Sequence, residues 1–456
     1  MPAASATAIV TVRPTIRHLA QLLGAVCLAL PLAGHAACVD EESEARLPAE
    51  ASSAGANADS PRMNLQAMVQ EAFRRSQTVG AAALLAQAAQ SDLSEAKAGA
   101  LPQASISGSV NHVGSGTNTV ATVSGMQSRA ALNVGASLFD GGRQNRLTDW
   151  RSQLAEAAQQ GQLSAREQVA LQTVSLALER SRYRLQAQVY QQHARKMGCL
   201  VEALQTIVNA DKGRASELVQ ARKTLQQTEM SYAQTMSQVR QTELRLRRFV
   251  GDGLPPVDGL SSVLIAVPKL EEIQADAARA ADINQLTAQA DAADQYASAV
   301  RASGKPQVGW SLSGSKSVGV GSPIGWSAGV NVTIPLFNQS TEHAATAAEL
   351  RARAARLQRD DAIEGRVSRA ADVHEQAISA FDRARRVVDV LRDSNQVRAF
   401  TLQQWQQLGK RSLFDVMSSE SDHYGLRVAY VNALYDGEQA NALLWSLGRG
   451  IGGWLQ

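Results

Sequence analysis

The sequence predicts a mainly α-helical fold with a membrane β-barrel sector, arranged as two tandem helix-hairpin-helix repeats. Three observations lead there. Four short stretches alternate apolar with small polar residues at a period of two. Each pair of them is followed by a long proline-free tract of helical periodicity. The switch between the two periods occurs twice, at Ser137-Leu138-Phe139-Asp140-Gly141-Gly142-Arg143 and at Ile334-Pro335-Leu336-Phe337-Asn338, with the phenylalanines 198 positions apart (337 minus 139). A switch repeated in this way marks one supersecondary unit used twice.

The chain has 456 residues, 45% of them hydrophobic, which excludes wholesale disorder. Aromatics are only 4%, which suits extended helices packed through narrow seams better than a thick core. Lys and Arg number 45 against 42 Asp and Glu, and the basic residues are scattered, so no nucleic-acid face is indicated. Arg13 and Arg17 precede an apolar run from Leu19 to Leu32 and then Ala33-Gly34-His35-Ala36-Ala37, the pattern of a secretory signal over residues 1–37. No later segment approaches ~18 consecutive apolar residues, so a membrane crossing must use strands. The three cysteines, Cys27, Cys38 and Cys199, make no disulfide framework. Cys38 reads either as an ordinary exported cysteine or as a lipidated first residue. His35 stands where the second reading expects an aliphatic side chain.

Residues 38–63 have almost nothing to bury and read as a disordered leader. The first repeat spans 64–252. Leu65, Met68, Val69, Ala72 and Phe73 keep helical spacing, and a second helix from Val79 to Lys97 stops before Pro102. Strands are expected at about 103–112 and 129–138, separated by a Gly/Ser/Thr/Asn loop from Gly114 to Gly125. A helix over residues 141–208 would then run roughly 100 Å at ~1.5 Å per residue. Its seam opens with Leu147, Trp150, Leu154 and Ala157 and resumes at Leu171, Val174, Leu178, Ser181 and Leu185. After a break at Asp211-Lys212-Gly213, a heptad-like seam runs through Leu218, Ala221, Leu225, Thr228, Tyr232, Thr235, Val239, Thr242, Leu246 and Phe249. Two short helices stacked end to end would match one long one.

Residues 253–270 read as a linker with room for a short strand at Val263 to Val267. The second repeat, 271–448, opens with one helix from Glu271 to Ala302. Strands at about 307–317 and 326–336 follow, then a long helix from Ser340 to near Gln407 and a break at Gly409-Lys410-Arg411-Ser412. The returning seam is Phe414, Met417, Ser421, Tyr424, Val428, Val431 and Tyr435, and residues 449–456 form a tail. Gly213 and Gly409 differ by 196 positions whereas Glu217 and Asp415 differ by 198, which suggests unequal tip turns.

Four strands cannot close a barrel, since the smallest closed membrane barrels use about eight, and open strand edges are not tolerated in lipid. A membrane reading therefore requires subunits that each contribute a sector, and three copies would supply twelve strands. The competing architecture is two half-buried hairpins in a soluble sandwich. Trp310 and Trp326 lie on the apolar strand face, as a membrane-interface aromatic belt expects. His343, His374 and His423 lack paired ligand spacing, the glycines at 314, 319, 321 and 325 have no following lysine, and no nucleophile elbow is present. No catalytic residue, metal site or cofactor is expected.

From about Asn64 to Gly448 the chain resembles the TolC family of outer-membrane efflux and secretion proteins. The resemblance rests on Leu101-Pro102-Gln103, Leu138-Phe139-Asp140-Gly141-Gly142, Gly213 to Arg222 and Gly409 to Asp415. It implies a homotrimer with a 12-stranded β-barrel in the outer-membrane lipid of a Gram-negative bacterium, standing on a long periplasmic α-helical barrel. Such a duct works with a periplasmic adaptor protein and an inner-membrane ABC transporter or proton-driven pump to export polypeptides or drugs, without enzymatic activity of its own. Pro102, Phe139, Gly141, Gly142, Pro306, Pro335 and Phe337 would form the barrel-tunnel junction, and Gly213 and Gly409 the helical-tip turns. The resemblance puts a periplasmic gate at Arg411, Asp415 and Glu217, although Gln406 and Ser418 replace a tyrosine and a second acid found in well-studied members. The Leu-Phe-Asp-Gly-Gly form and a non-lipidated start look like the type I protein secretion branch, as in toxin exporters of the adenylate-cyclase-haemolysin kind. Multidrug efflux is the alternative within the fold, and a periplasmic coiled-coil structural or adhesion protein is the alternative of another class.

Overall fold

The computed structural model describes residues 59–117, 120–254, 260, 263–320, 324–408 and 411–455. The predicted signal, Cys38, the leader up to residue 58 and Gly409 lie outside them. The first repeat consists of α1 (Asp59–Arg75), α2 (Gln77–Ala98), β1 (Gln103–Thr117), β2 (Val120–Phe139), α3 (Arg143–Ala210) and α4 (Ala215–Val250), with a 3-10 turn at Lys212–Arg214. The second consists of α5 (Leu270–Ala277), α6 (Ala281–Ala302), β3 (Gln307–Gly319), β4 (Ile324–Thr333), α7 (Gln339–Leu408) and α8 (Leu413–Leu447), and a short α9 (Ile451–Leu455) follows.

The long helices α3 and α7, of 68 and 70 residues, each span about 100 Å. Along α3 lie α2 and then α4, and along α7 lie α6 and then α8; α3 also packs on α6 and α8, which joins the repeats. The end-to-end stacking expected from helix lengths is therefore present. All ten predicted seam positions of α4 are buried or half-buried. The largest core cluster draws Leu65 and Val69 of α1, Leu178 of α3, Leu246 of α4 and Tyr435 of α8 around Leu260 and Leu264 of the connecting segment. A second cluster, with Met197, Leu204, Leu218 and Leu413, holds the far tip. Near the sheet, α6 and α7 meet through Ala297, Ala348 and Ala352, whose small side chains let the backbones approach closely.

Several expectations are corrected. Helix α1 starts at Asp59, inside the predicted leader, and the predicted tail is helix α9. The two ends support each other. Arg62 lies over the Trp454 ring at 5.2 Å and donates to the Trp454 carbonyl, while Ile451 and Leu455 are buried. The predicted helix over 271–302 is two helices, broken at residues 278–280. Ala280 follows Ser76 by 204 positions, as Pro306 follows Pro102, so both repeats break at the same place. Ser76 caps α2 by accepting from the Val79 amide at 3.3 Å, whereas Ala280 has no side-chain acceptor. The second break therefore carries no capping residue to announce it. No strand forms at 263–267. In its place, Asn441 of α8 donates to the carbonyls of Leu264 and Ala266.

The predicted loop from Gly114 is largely strand, because the β1 and β2 backbones keep pairing from Gly114↔Ser124 to Thr117↔Val120. In the second hairpin β4 ends at Thr333, short of the predicted 336, since Pro335 has no amide to donate. Phe414, predicted on the α8 seam, is 60% exposed and Leu413 is fully buried in its place. The Ser412–Asp415 capping box sets the start and phase of the helix, turning Leu413, Val416 and Met417 inward. Four residues, 211–214, separate α3 from α4; the second tip turn, with Gly409, lies partly outside the described residues. The returning helices α4 and α8 start 198 positions apart, at Ala215 and Leu413.

Candidate functional site: a two-faced sheet and its junctions

The four strands form one antiparallel sheet in the order β1-β2-β3-β4, with β2 pairing β3 across the repeat boundary. Register brings like side chains to the same face. Ile106 pairs Leu132, which pairs Gly314 and then Trp326; Ala136 pairs Trp310, which pairs Val330. Ile106 is 83% exposed and Trp326 80%, and Val110, Leu132, Leu312, Val330 and Val332 are exposed with them. The opposite face carries Ser107, Ser109, Asn133, Ser311, Ser313, Ser327 and Asn331, with Ser313 and Ser327 hydroxyls 2.8 Å apart. Water does not tolerate a continuous apolar face of this kind. From the Val308 level to Val318 is about 33 Å along the strand at ~3.3 Å per residue, or about 25 Å after a ~40° tilt, the height of a barrel's lipid band.

Both Trp310 and Trp326 stand on the apolar face; Trp310 is half-buried near the helix-side end and Trp326 projects outward. Among the described residues, the outer edges of β1 and β4 pair with no other strand. No helix among the described residues is long and apolar enough to cross a membrane.

The first junction begins with an irregularity. Ser137 pairs Gly309 and Phe139 pairs Val308, so one extra residue of β2 is accommodated and Phe139 turns to the face of Val308. Gly141 and Gly142 have φ of 66° and 85°, the left-handed region that side chains disfavour. Asp140 holds this turn. Its carboxylate accepts from the Gly142 amide at 3.0 Å and the Gln144 amide at 2.6 Å. The Gln144 side chain donates to the Ala96 carbonyl at 2.6 Å, tying α3 to the end of α2. Lys305, beside Pro306, crosses from the second repeat to the Gly141 carbonyl at 3.4 Å. The second junction is plainer. Asn338 accepts from the Thr341 amide at 3.2 Å to start α7, while Pro335, Leu336 and Phe337 are exposed. Asp140, Gln144 and Lys305 were not singled out from sequence; an acid just before Gly-Gly and a helical tract is the capping signal that points to Asp140.

The predicted gate residues are only partly brought together. Arg411 lies 3.9 Å from Asp415 and donates to Gln404 at 3.2 Å, all at the exposed surface. Asp415 also completes the capping box with Ser412. Glu217 pairs with Arg214 at 2.8 Å on its own turn. Gly213 lies in the 3-10 turn, where Asp211 accepts its amide at 2.9 Å.

Inside the helical part, Arg398 and Glu420 form a buried pair at 3.2 Å. Glu243 receives Arg180 at 2.9 Å and Arg184 at 2.7 Å. Burial alone would raise the Glu243 pKa, but the two guanidinium hydrogen bonds overcome it and hold it below the ordinary value. Glu438 is fully buried with neither carboxyl oxygen hydrogen-bonded, and burial pushes its pKa well above the ordinary value. Arg366 of α7 pairs with Asp282 and donates at 3.0 Å to each of the Ser446 and Leu447 carbonyls, pinning the end of α8. Among the described residues no cluster of His, Cys, Asp or Glu is grouped to hold a metal.

Residues 68–252 match the family model described as outer membrane efflux protein. This match covers less than half of the 456 residues. The match covers the first repeat, and the second repeat carries the same order of elements. Among solved structures the fold is similar to CusC, described for folding and transmembrane channel formation, with a TM-score of 0.76 at 18% identity over 85% of this chain and 92% of that one. VceC of Vibrio cholerae gives 0.74 at 18% identity, covering 85% and 96%. The open state of the Neisseria gonorrhoeae MtrE channel gives 0.70 at 17% identity, covering 85% and 89%. At these identities the likeness is one of fold. No curated protein sequence matches the chain.

Proposed function

We propose that three copies of this chain assemble into an exit duct, a 12-stranded barrel continued by a helical tunnel, which accepts cargo from a periplasmic adaptor and an inner-membrane transporter. The observation that carries this is the sheet. It is apolar and exposed on one face, small and polar on the other, and unpaired at both edges, so it is complete only when neighbours close it. Arg411, Asp415 and Glu217 are the gate of this reading. Exposed ion pairs are worth only ~0.2–1 kcal/mol each, yet a threefold set at the tip can bias a closed state that an adaptor opens.

For cargo we infer polypeptides exported by a type I system, supported by the Leu138-Phe139-Asp140-Gly141-Gly142 form. Small-molecule efflux is the second reading, favoured by the description of the matching family. The purified protein should chemically cross-link as a trimer and conduct ions in planar bilayers. A monomer without conductance would refute the duct. Deleting the gene then separates the two cargoes: lost secretion of a polypeptide supports the first, and drug sensitivity with secretion intact replaces it by the second.

A further inference from the structure

We propose that Arg129 is a selectivity residue of the barrel lumen, forming a threefold cationic girdle that favours anions, from inorganic anions to the carboxylates of acidic cargo. The inference rests on the reading of the sheet as one sector of a trimeric barrel. Arg129 of β2 is in register with Ser109 of β1 and Ser317 of β3, which places it on the polar face. It is exposed, and its guanidinium donates to the Ser315 hydroxyl at 3.0 Å, which steers it along the sheet surface. Among the described residues no carboxylate pairs with it. Every other described residue on this face is uncharged, whereas Lys316 and His112 lie on the apolar face.

A lone surface arginine ordinarily does little, because water and salt screen it. Closure changes the geometry. Twelve strands ~4.8 Å apart and tilted ~40° give a backbone radius of about 12 Å. An arginine reaching ~6 Å inward puts the axis, at the level of the ring, about 6 Å from all three guanidinium groups. That is shorter than the Debye length of about 8 Å at physiological salt. The three fields therefore add in the lumen, enough by screened Coulomb arithmetic to raise local anion concentration roughly fivefold. Rings of arginine or lysine are a general physical route to anion preference in pores.

The test is the reversal potential of single channels in planar bilayers under a potassium chloride gradient, comparing the unaltered protein with R129K, R129Q and R129E. Charges on the tunnel act in series and are common to all four, so differences between variants report the girdle. The chloride-to-potassium permeability ratio should be unchanged in R129K, fall severalfold in R129Q and fall further in R129E. Channels with one common ratio across the four would overturn the inference while leaving the duct intact. Failure of all four to conduct would overturn the duct and this inference with it.

Discussion

Glu438 makes a pH-dependent stability prediction of definite sign. Its carboxyl is buried in α8, has no hydrogen-bond partner, and is held protonated because burial raises its pKa well above the ordinary 4.5. In the unfolded chain the same group ionises near 4.5. The folded state therefore binds one more proton between the two values. The contribution of Glu438 to stability is greatest below 4.5 and falls as pH rises toward the raised folded value, with a slope of about 1.4 kcal/mol per pH unit per protomer. Roughly 400 folded residues at ~2.1 cal/mol/K each give an unfolding entropy near 0.8 kcal/mol/K, so the slope corresponds to about 1.7 °C in Tm per pH unit. Glu243 acts oppositely. Its lowered pKa costs stability only as pH falls below the ordinary carboxylate range, so a scan from pH 5 to 8 leaves it out. Thermal unfolding of the detergent-solubilised protein, followed by circular dichroism, should show the slope in the unaltered protein. E438Q, which keeps the shape but cannot ionise, should lose it. Parallel profiles for the two proteins would refute the account.

Removing Arg366 with R366A leaves Asp282 unpaired and two helix-end carbonyls without their donor; a loss of about 2–4 kcal/mol is expected, read as a Tm drop of about 3–5 °C. The Gly141→Val change forces a β-branched side chain into a left-handed turn and against Lys305 only 2.7 Å away; it should cost about 1–3 kcal/mol and lower the yield of heat-resistant trimer on gels. At the tip, L204A should cost about 2–5 kcal/mol through the cavity it leaves against Leu218 and Leu413, measured as faster proteolysis between α3 and α4. Arg411→Ser should raise the closed-state single-channel conductance, and an unchanged value would reduce Arg411 and Asp415 to the helix-start role that the capping box already shows.

Sequence revealed what periodicity writes repeatedly. The α4 seam was legible over ten positions because one face recurs at strict spacing, and the strands because Ile106, Val110, Leu132 and Trp326 alternate with serines and glycines. Single-residue decisions were harder. The break before α6 was hidden because Ala280 replaces the capping serine of the first repeat within an alanine-rich tract. The long β1–β2 hairpin was hidden because Gly, Ser and Thr look like loop unless paired in register. The α8 phase was misjudged by one residue, since Phe414 is the larger apolar side chain but Ser412 and Asp415 decide where the helix begins. Glu438 had no sequence signal, because an acid within an otherwise buried helix face looks like a solvated position until the neighbouring helices are in place.

The repeat offsets show where the two halves were free to diverge. The offset is 198 at Phe139 and Phe337 and again at the starts of α4 and α8, while Pro102 and Pro306 are 204 apart, so the six-residue difference lies within the hairpins. The helical part tolerates no such change, because α3 and α7 must stay level with the stacked pairs beside them. A one-residue slip in a helix turns its buried face by ~100°. A hairpin lengthens without that penalty if residues are added in pairs, since each added pair keeps the two-faced alternation. The β1 and β2 strands, of 15 and 20 residues, accordingly outrun β3 and β4, of 13 and 10. In a threefold duct the helical tunnel would then be close to sixfold symmetric, while the outer rim would carry three long and three short hairpins in alternation. The cost of asymmetry falls at the junctions. The first needs Asp140 and two left-handed glycines to turn the longer, bulged strand into α3, while the second makes the same turn with Pro335 and Asn338.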